Sequence, residues 1–218
     1  MSQPVVSVII PAYNGAATIR ETLDSVFAQT FTDYEVIVVD DASTDDTVAV
    51  VSGYGARVRV IRRAKNSGVC EVARSEGISA AGGRYCAFID QDDLWDPTKL
   101  EKQVAFMEAH PELPLSHTAM RVIDEQGKVW EVRHDGRIPP TGPCAEALLH
   151  HCFITISSMV VRGTIWRDAW DVGTLNEPNS DIEYFLSILQ KYPAGFGFLP
   201  EVLGSYRRWS RSISRQDW

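Results

Sequence analysis

Asp90, Asp92 and Asp93 lie within the four residues Asp90-Gln91-Asp92-Asp93, a spacing that suits cation chemistry. Carboxylates this close raise one another's pKa, and a divalent ion relieves the repulsion. Mg²⁺ or Mn²⁺ takes oxygen ligands and typically uses one or two protein carboxylates together with substrate phosphate oxygens. Such an ion neutralises a diphosphate and helps it to leave. An isolated D-x-D-D is more often a solvated acidic turn that caps the next helix. Here it follows Tyr85 to Ile89, an apolar run that reads as a buried strand, and that position favours the ion.

Two other polar clusters also close apolar runs. Ala12-Tyr13-Asn14 follow Val5 to Ile10, and Asp40-Asp41 close Val36 to Val39. Continuous β-branched runs mark strands buried on both faces. Ile19, Leu23, Val26 and Phe27 fall at i, i+4, i+7 and i+8, one helical stripe. Ser43-Thr44-Asp45 can cap a short helix through Val51, Val58 to Ile61 reads as a third strand, and residues 69–81 read as a helix. Asp96-Pro97 offers an N-cap and a proline at the first helical position of a helix reaching about Ala109. This alternation implies a mostly parallel sheet with helices on both faces, whose ligands bind beyond the carboxyl ends of the strands. All three polar clusters sit at such ends.

The second half has a different pattern. Ser116 to Asp124 and Lys128 to Val132 flank Glu125-Gln126-Gly127 as a hairpin. Residues 139–143 form a loop, and Thr155 to Val161 read as another strand. Asp181 to Lys191 read as a helix with Ile182, Phe185, Leu186 and Leu189 on one stripe, and Arg207 to Arg215 is basic and serine-rich.

A length of 218 residues suits one domain. A net charge of −8 argues against a general nucleic-acid binder. Cys70, Cys86, Cys144 and Cys152 form no C-x-x-C pair, so neither a zinc site nor a disulfide framework is indicated, and a reducing cytosol is the default. The first residues lack a basic leader, and no stretch approaches the ~20 apolar residues of a membrane span. No G-x-G-x-x-G follows the first strand, against a dinucleotide-dependent oxidoreductase.

The segments Val6 to Asn14, Ser25 to Thr30, Val38 to Asp45, Asn66-Ser67-Gly68, Ala73-Arg74 and Phe88 to Pro97 together carry a resemblance. The chain resembles the large family-2 type of inverting glycosyltransferases with the GT-A fold, densely over residues 5–110 and more thinly to about 215. The resemblance implies an α/β, Rossmann-like GT-A fold: a mostly parallel central sheet flanked by helices, with a mixed acceptor-side half. It implies a single domain over 1–218, with a nucleotide-sugar-binding half (about 1–110) and an acceptor-binding half (about 111–218). The implied activity is metal-dependent, inverting transfer of a sugar from a nucleoside-diphosphate sugar to an acceptor hydroxyl, in polysaccharide, cell-wall or glycoconjugate synthesis. The cofactor is Mn²⁺ or Mg²⁺. A UDP-sugar is the favoured donor, with GDP- and dTDP-sugars open, and the acceptor is a saccharide or a lipid-linked sugar. The expected location is the cytoplasm, with peripheral contact at the inner face of the membrane compatible. A catalytically silent nucleotide-binding relative and a nucleotidyltransferase making nucleotide sugars are the alternatives. Against the second, Ala12-Tyr13-Asn14-Gly15 stand where such enzymes carry a glycine-rich basic loop.

Residue by residue, the resemblance makes Asp92 the metal ligand and sets Asp90 and Gln91 beside the ribose and diphosphate. Asp93 shapes the loop or touches the donor sugar. Tyr13, after Pro11 and Ala12, stacks on the base. Asp41 accepts from a base N–H, and Asp40 holds the turn. Arg74 pairs with the diphosphate, or with Asp40 or Asp41. The base that deprotonates the acceptor is Asp181, which follows Gly173-Thr174-Leu175-Asn176-Glu177, with Glu183 as the fallback. Ser180 stands where relatives commonly have Glu. In Tyr206-Arg207-Arg208-Trp209-Ser210, Trp209 stands where His is usual. Arg207 or Arg208 contacts phosphate there, or the segment is a solvated basic tail.

Overall fold

Val6–Ala12 (β1) is buried along its whole length, as its apolar residues favour, and its one polar side chain, Ser7, donates to Glu35 Oε1 (2.6 Å). Tyr34–Asp40 (β2) and Arg59–Arg62 (β3) lie on one side of it and Tyr85–Phe88 (β4) on the other, all parallel. The structure, a computed structural model, describes residues 3–133, 139–150, 152–165 and 180–209, with Ser180 and Asp181 described for backbone alone. Ala12 pairs with Asp40 in the β1–β2 register, which brings the polar ends of the two strands side by side.

Side chains alternate across each strand. Ile9, Ile37, Val39 and Phe88 therefore enter one core with Ala73 and Ile78 of the helix Cys70–Ala80 (α3, following α1 and α2 below). Val8, Ile10, Val38 and Ala87 enter the other core, with Leu23 and Val26 of Ile19–Phe27 (α1) and Leu100 of Lys99–Ala109 (α4). Thr47–Ser52 (α2) covers the end of that face. α3 approaches the sheet closely at Gly77, where an added Cβ would lie 2.6 Å from Ile9 Cγ2.

Beyond β4 the sheet becomes mixed. Its order is β3-β2-β1-β4-β8-β6-β9-β5, where β5 is Leu94–Trp95, β6 is Leu115–Ile123, β8 is Val160–Arg162 and β9 is Gly197–Arg207. Val129–Arg133 (β7) pairs with β6 as the expected hairpin, turning at Gly127 with φ +83°. Two further helices are Ala145–His150 (α5) and Ser180–Lys191 (α6). Among the described residues no helix is long and apolar enough to cross a membrane.

Three local expectations are corrected. Thr155 to Val161 is not one strand: Ile156–Ser158 is a 3-10 turn, closed where the Ser158 amide and hydroxyl both donate to Thr155 O (2.8 and 2.6 Å). Asp96 does not cap α4 with its side chain. Its carboxylate accepts two bonds from Arg121 (2.8 and 2.9 Å), and the helix begins at Lys99. The buried face of α6 is Tyr184, Phe185 and Ile188, whereas Ile182, Leu186 and Leu189 are half-buried. Phe185 of the expected stripe is thus fully buried and Leu189 packs against the core, while the ring of Tyr184 joins it from one side.

Lys99 is fully buried. Its Nζ donates to Gln103 Oε1 (2.6 Å) and lies 4.2 Å from the Trp95 ring centroid. Burial pulls its pKa down to about 7, against about 10.4 in an unfolded chain. The unfolded state therefore binds more protons across that interval, and stability rises with pH through it. The penalty is full below pH ~7 and absent above pH ~10. Lys99→Met is expected to raise stability at neutral pH by on the order of 1–2 kcal/mol and to flatten the rise between pH 7 and 10. Urea denaturation at a series of pH values checks both.

Candidate active site

The carboxyl ends of β1 and β2 are stitched together by side chains. The Asn14 amide donates to Ser43 Oγ (2.9 Å), and the Thr44 amide donates to Asn14 Oδ1 (2.8 Å). Asn14 (φ +48°) and Ala42 (φ +62°) both adopt left-handed backbone, uncommon for residues with a side chain and concentrated at functional sites. Tyr13, just beyond the buried Pro11 and Ala12, is 45% exposed. Its backbone is clamped by one amide: Tyr13 N donates to Gln91 Oε1 (2.9 Å), and Gln91 Nε2 donates to Tyr13 O (3.0 Å). Gly15 permits the clamp, since a Cβ there would sit 2.1 Å from Gln91 Oε1.

Asp41 is buried and well supplied with donors. Its carboxylate accepts from Arg63 Nη1 (2.5 Å), Ser67 Oγ (2.7 Å) and the Ser67 amide (3.0 and 3.1 Å). Asp40 accepts from the Ser43 amide (3.3 Å) and faces Arg62 (3.5 Å), as expected of a residue that holds the turn. Arg74 is buried and pairs with neither. Its guanidinium donates to Asp90 Oδ1 (2.6 Å) and Glu71 Oε1 (3.1 Å), so the expected Asp40 or Asp41 pairing is replaced by one with Asp90. Arg74 sits on α3, which brings it to the end of β4 rather than β2.

The acidic turn leads from β4 to β5. Thr22 Oγ1 on α1 donates to Gln91 O and Asp93 O (both 2.9 Å). Asp93 is fully buried and accepts from the Ser157 hydroxyl and the Arg207 amide (2.8 Å). Ser157 Oγ is also within hydrogen-bond reach of the Asp90 amide (3.0 Å). Asp92 Oδ2 accepts from the Trp209 indole N–H (2.7 Å). Arg207, 4% exposed, donates to Asp92 O (2.9 Å), Glu125 O (3.1 Å) and Glu21 Oε2 (2.7 Å). The end of β9 is therefore no solvated tail at Arg207, whose side-chain donors are committed to Asp92 O, Glu125 O and Glu21. Residues 210–215 lie outside the described residues.

Burial, and after it the charge of Asp90, pushes the Asp92 carboxyl up to about 6. Burial, then Asp92 and Asp90, raises Asp93 well above the usual carboxylate range. The turn concentrates negative charge on hard oxygen donors with Asp92 at its mouth, a donor set that fits Mg²⁺ or Mn²⁺.

Asp181 lies in the first turn of α6, and its side chain is outside the described residues, as are residues 173–177. Glu183 is exposed on the same helix. Ser157, Glu21, Thr22, Arg63 and Ser67 were not anticipated. Ser67, next to Asn66 and Gly68, lay in a segment already singled out, whereas Ser157 sat inside a run read as strand.

A curled α/β sheet with a polar crevice at the carboxyl ends of its parallel strands is the GT-A architecture of sugar-transferring proteins. The chain belongs to glycosyl transferase family 2, whose profile matches residues 7–162. It is 33% identical over 223 residues to the Bacillus subtilis protein TuaG, named for teichuronic acid biosynthesis, covering 99% of this chain and 84% of that one. It is 36% identical over 217 residues to an uncharacterized Mycobacterium tuberculosis protein, covering 95% of this chain but 60% of the relative. Among solved structures, S. aureus TarS 1–349 in complex with UDP superposes with a TM-score of 0.75 at 22% identity, over 94% of this chain and 60% of that one. The Pyrobaculum calidifontis mannosyltransferase PcManGT, in complex with GDP-Man and Mn²⁺, gives 0.71 at 19%, over 97% and 59%. At these identities the two structures speak for the fold.

Proposed function

We propose that the protein transfers a sugar from a nucleoside-diphosphate sugar, with inversion, to the hydroxyl of a saccharide or lipid-linked acceptor. The observation that carries this reading is the meeting of Tyr13, Asp41 and the acidic turn at one sheet edge, with Gln91 binding the turn directly to Tyr13. The exposed Tyr13 ring stacks on the base, at a height set by Gln91. Asp41 holds the 66–68 loop and accepts from a base N–H by exchanging a Ser67 bond. Arg74 orients Asp90 beside the ribose and diphosphate. Asp93, buried with both oxygens engaged, shapes the turn and does not reach the sugar. Asp92 holds Mn²⁺ or Mg²⁺, which when bound neutralises the leaving diphosphate. Asp181 takes the proton of the acceptor hydroxyl.

The single-domain reading, with nucleotide and acceptor halves dividing near residue 110, is supported by the change from parallel to mixed sheet beyond β4. A UDP-sugar donor is favoured by the solved UDP complex of TarS, and a role in cell-wall polysaccharide synthesis by the name of TuaG. Free cysteines at the four cysteine positions suit the cytoplasm, with the inner membrane face as the place to meet a lipid-linked acceptor. UDP with Mn²⁺, at about 100 times Kd, is expected to stabilise the fold by about 2.7 kcal/mol, a melting shift of about 5–10 °C. If UDP, GDP and dTDP all leave the melting temperature unmoved with either ion, the donor site is not where it is placed here. A silent relative would show the shift without turnover; Ser180 and Trp209, both departures from the family pattern, favour keeping that reading in the test.

A further inference from the structure

Two residues at the end of β9 grip Asp92 from both sides. Arg207 Nε donates to its carbonyl oxygen (2.9 Å), and Trp209 Nε1 donates to its Oδ2 (2.7 Å). Oδ1 takes no other side-chain donor among the described residues. An indole N–H donates only and has no lone pair to offer a metal. Yet Trp209 occupies the position where the family pattern has an imidazole, which has one. Among the described residues, moreover, no three His, Cys, Asp or Glu side chains are grouped to hold a metal ion. The chain thus spends the position of a potential ligand on fixing the orientation of the ligand it has.

We propose that Trp209 is a positioning residue that aims the remaining oxygen of Asp92 at the divalent ion, and that its presence in place of a second protein ligand makes the ion bind weakly alone and much more tightly together with a nucleoside diphosphate. The inference rests on the assignment of the ion to Asp92 above. Phosphate oxygens complete the coordination that the protein leaves open, as Mg²⁺ and Mn²⁺ commonly allow. The indole matters because a carboxylate held at one oxygen presents the other in a fixed direction. Partners of this kind, which orient a ligand without touching the metal, typically contribute 10–100-fold to metal affinity.

The test measures Mn²⁺ binding alone by the electron paramagnetic resonance of free Mn²⁺, and UDP binding with and without Mn²⁺ by calorimetry. Wild type, Trp209→Phe and Trp209→His are compared, with melting temperature as the folding control. Wild type is expected to bind Mn²⁺ weakly alone and UDP more tightly when Mn²⁺ is present. Trp209→Phe should lose about 10-fold in UDP affinity with Mn²⁺ and keep its affinity without metal. Trp209→His should bind Mn²⁺ without nucleotide about 10-fold more tightly than wild type. The proposal is overturned if Trp209→Phe keeps the full gain from Mn²⁺, or loses UDP affinity equally with and without it. It is also overturned if Trp209→His gains nothing, and this variant decides alone should Trp209→Phe fail to fold. A wild type whose UDP binding ignores both Mn²⁺ and Mg²⁺ removes the ion from Asp92 altogether, and this inference with it.

Discussion

Asp181→Asn is expected to lower turnover by about 10²–10⁴-fold, the usual contribution of a general base, while nucleoside-diphosphate affinity stays within about two-fold. The amide is nearly isosteric with the carboxylate and can still accept a hydrogen bond from the acceptor hydroxyl, but it cannot take the proton. The loss should therefore fall on kcat and leave the Michaelis constants near their wild-type values. Position alone gives the carboxylate a second reason to exist: it lies in the first turn of α6, where the helix dipole favours an acid by about 0.3–1 kcal/mol. A purely structural role would move the melting temperature slightly and spare turnover. Glu183 supplies the control. Two residues along a helix it points to the other side, roughly 200° away, and Glu183→Gln should leave turnover near wild type. The reverse pattern, with Glu183→Gln inactive and Asp181→Asn active, moves the base to Glu183.

Arg207→Met should destabilise the protein by about 2–3 kcal/mol, with the urea midpoint falling accordingly. Breaking a buried ion pair typically costs 3–5 kcal/mol, but Glu21 is largely exposed, so the figure is discounted for solvent screening. What remains is the loss of donors to Asp92 O and Glu125 O. Arg207→Lys keeps the charge but not the planar fork, and should recover less than half of the loss. A midpoint unchanged in Arg207→Met would mean that β9 does not support the turn.

The first half was readable because each of its signals is local. Ile9, Ile37 and Val39 announce buried strands by their neighbours in sequence, and Ile19, Leu23 and Val26 announce a helix by their spacing. Asp40, Asp41 and the 90–93 cluster could be placed at strand ends on the same evidence. The failures share a different cause. Asp96 looked like a cap until Arg121, on β6, claimed it. Ser157 lay in an apolar run whose length and composition suit a strand, and only the Ser158 bonds to Thr155 make it a turn. Arg207 resembled a tail because its partners, Glu21 and the backbone carbonyls of Asp92 and Glu125, are far away in sequence, which no composition or period reports. Trp209 was visible as a departure from the family pattern, whereas the bond that gives it meaning needed the fold. Sequence located the acidic residues and the resemblance proposed a role for each; the structure adds that Asp93 is fully buried against Ser157 and the Arg207 amide and that Asp90 pairs with Arg74.

The Arg207 amide that reaches Asp93 comes 114 residues later in the chain. At a synthesis rate of about 5–20 residues per second, it leaves the ribosome roughly 6–23 s after Asp93 does. Strands β1 to β4 can pair during that wait, since their partners are already present. The acidic turn already has Thr22, the Tyr13 backbone, Arg74 and, once it is made, Ser157 to hold it, but Asp93 still lacks the Arg207 amide and Asp92 O its Nε donor. A nascent chain arrested before Arg207 should accordingly show a formed parallel sheet and a loose turn. Until β8 is made, partway through the wait, the β4 edge that it will cover is without its partner, a surface on which nascent chains associate wrongly or recruit a chaperone. Competence at this site is thus timed by translation of the far end of β9.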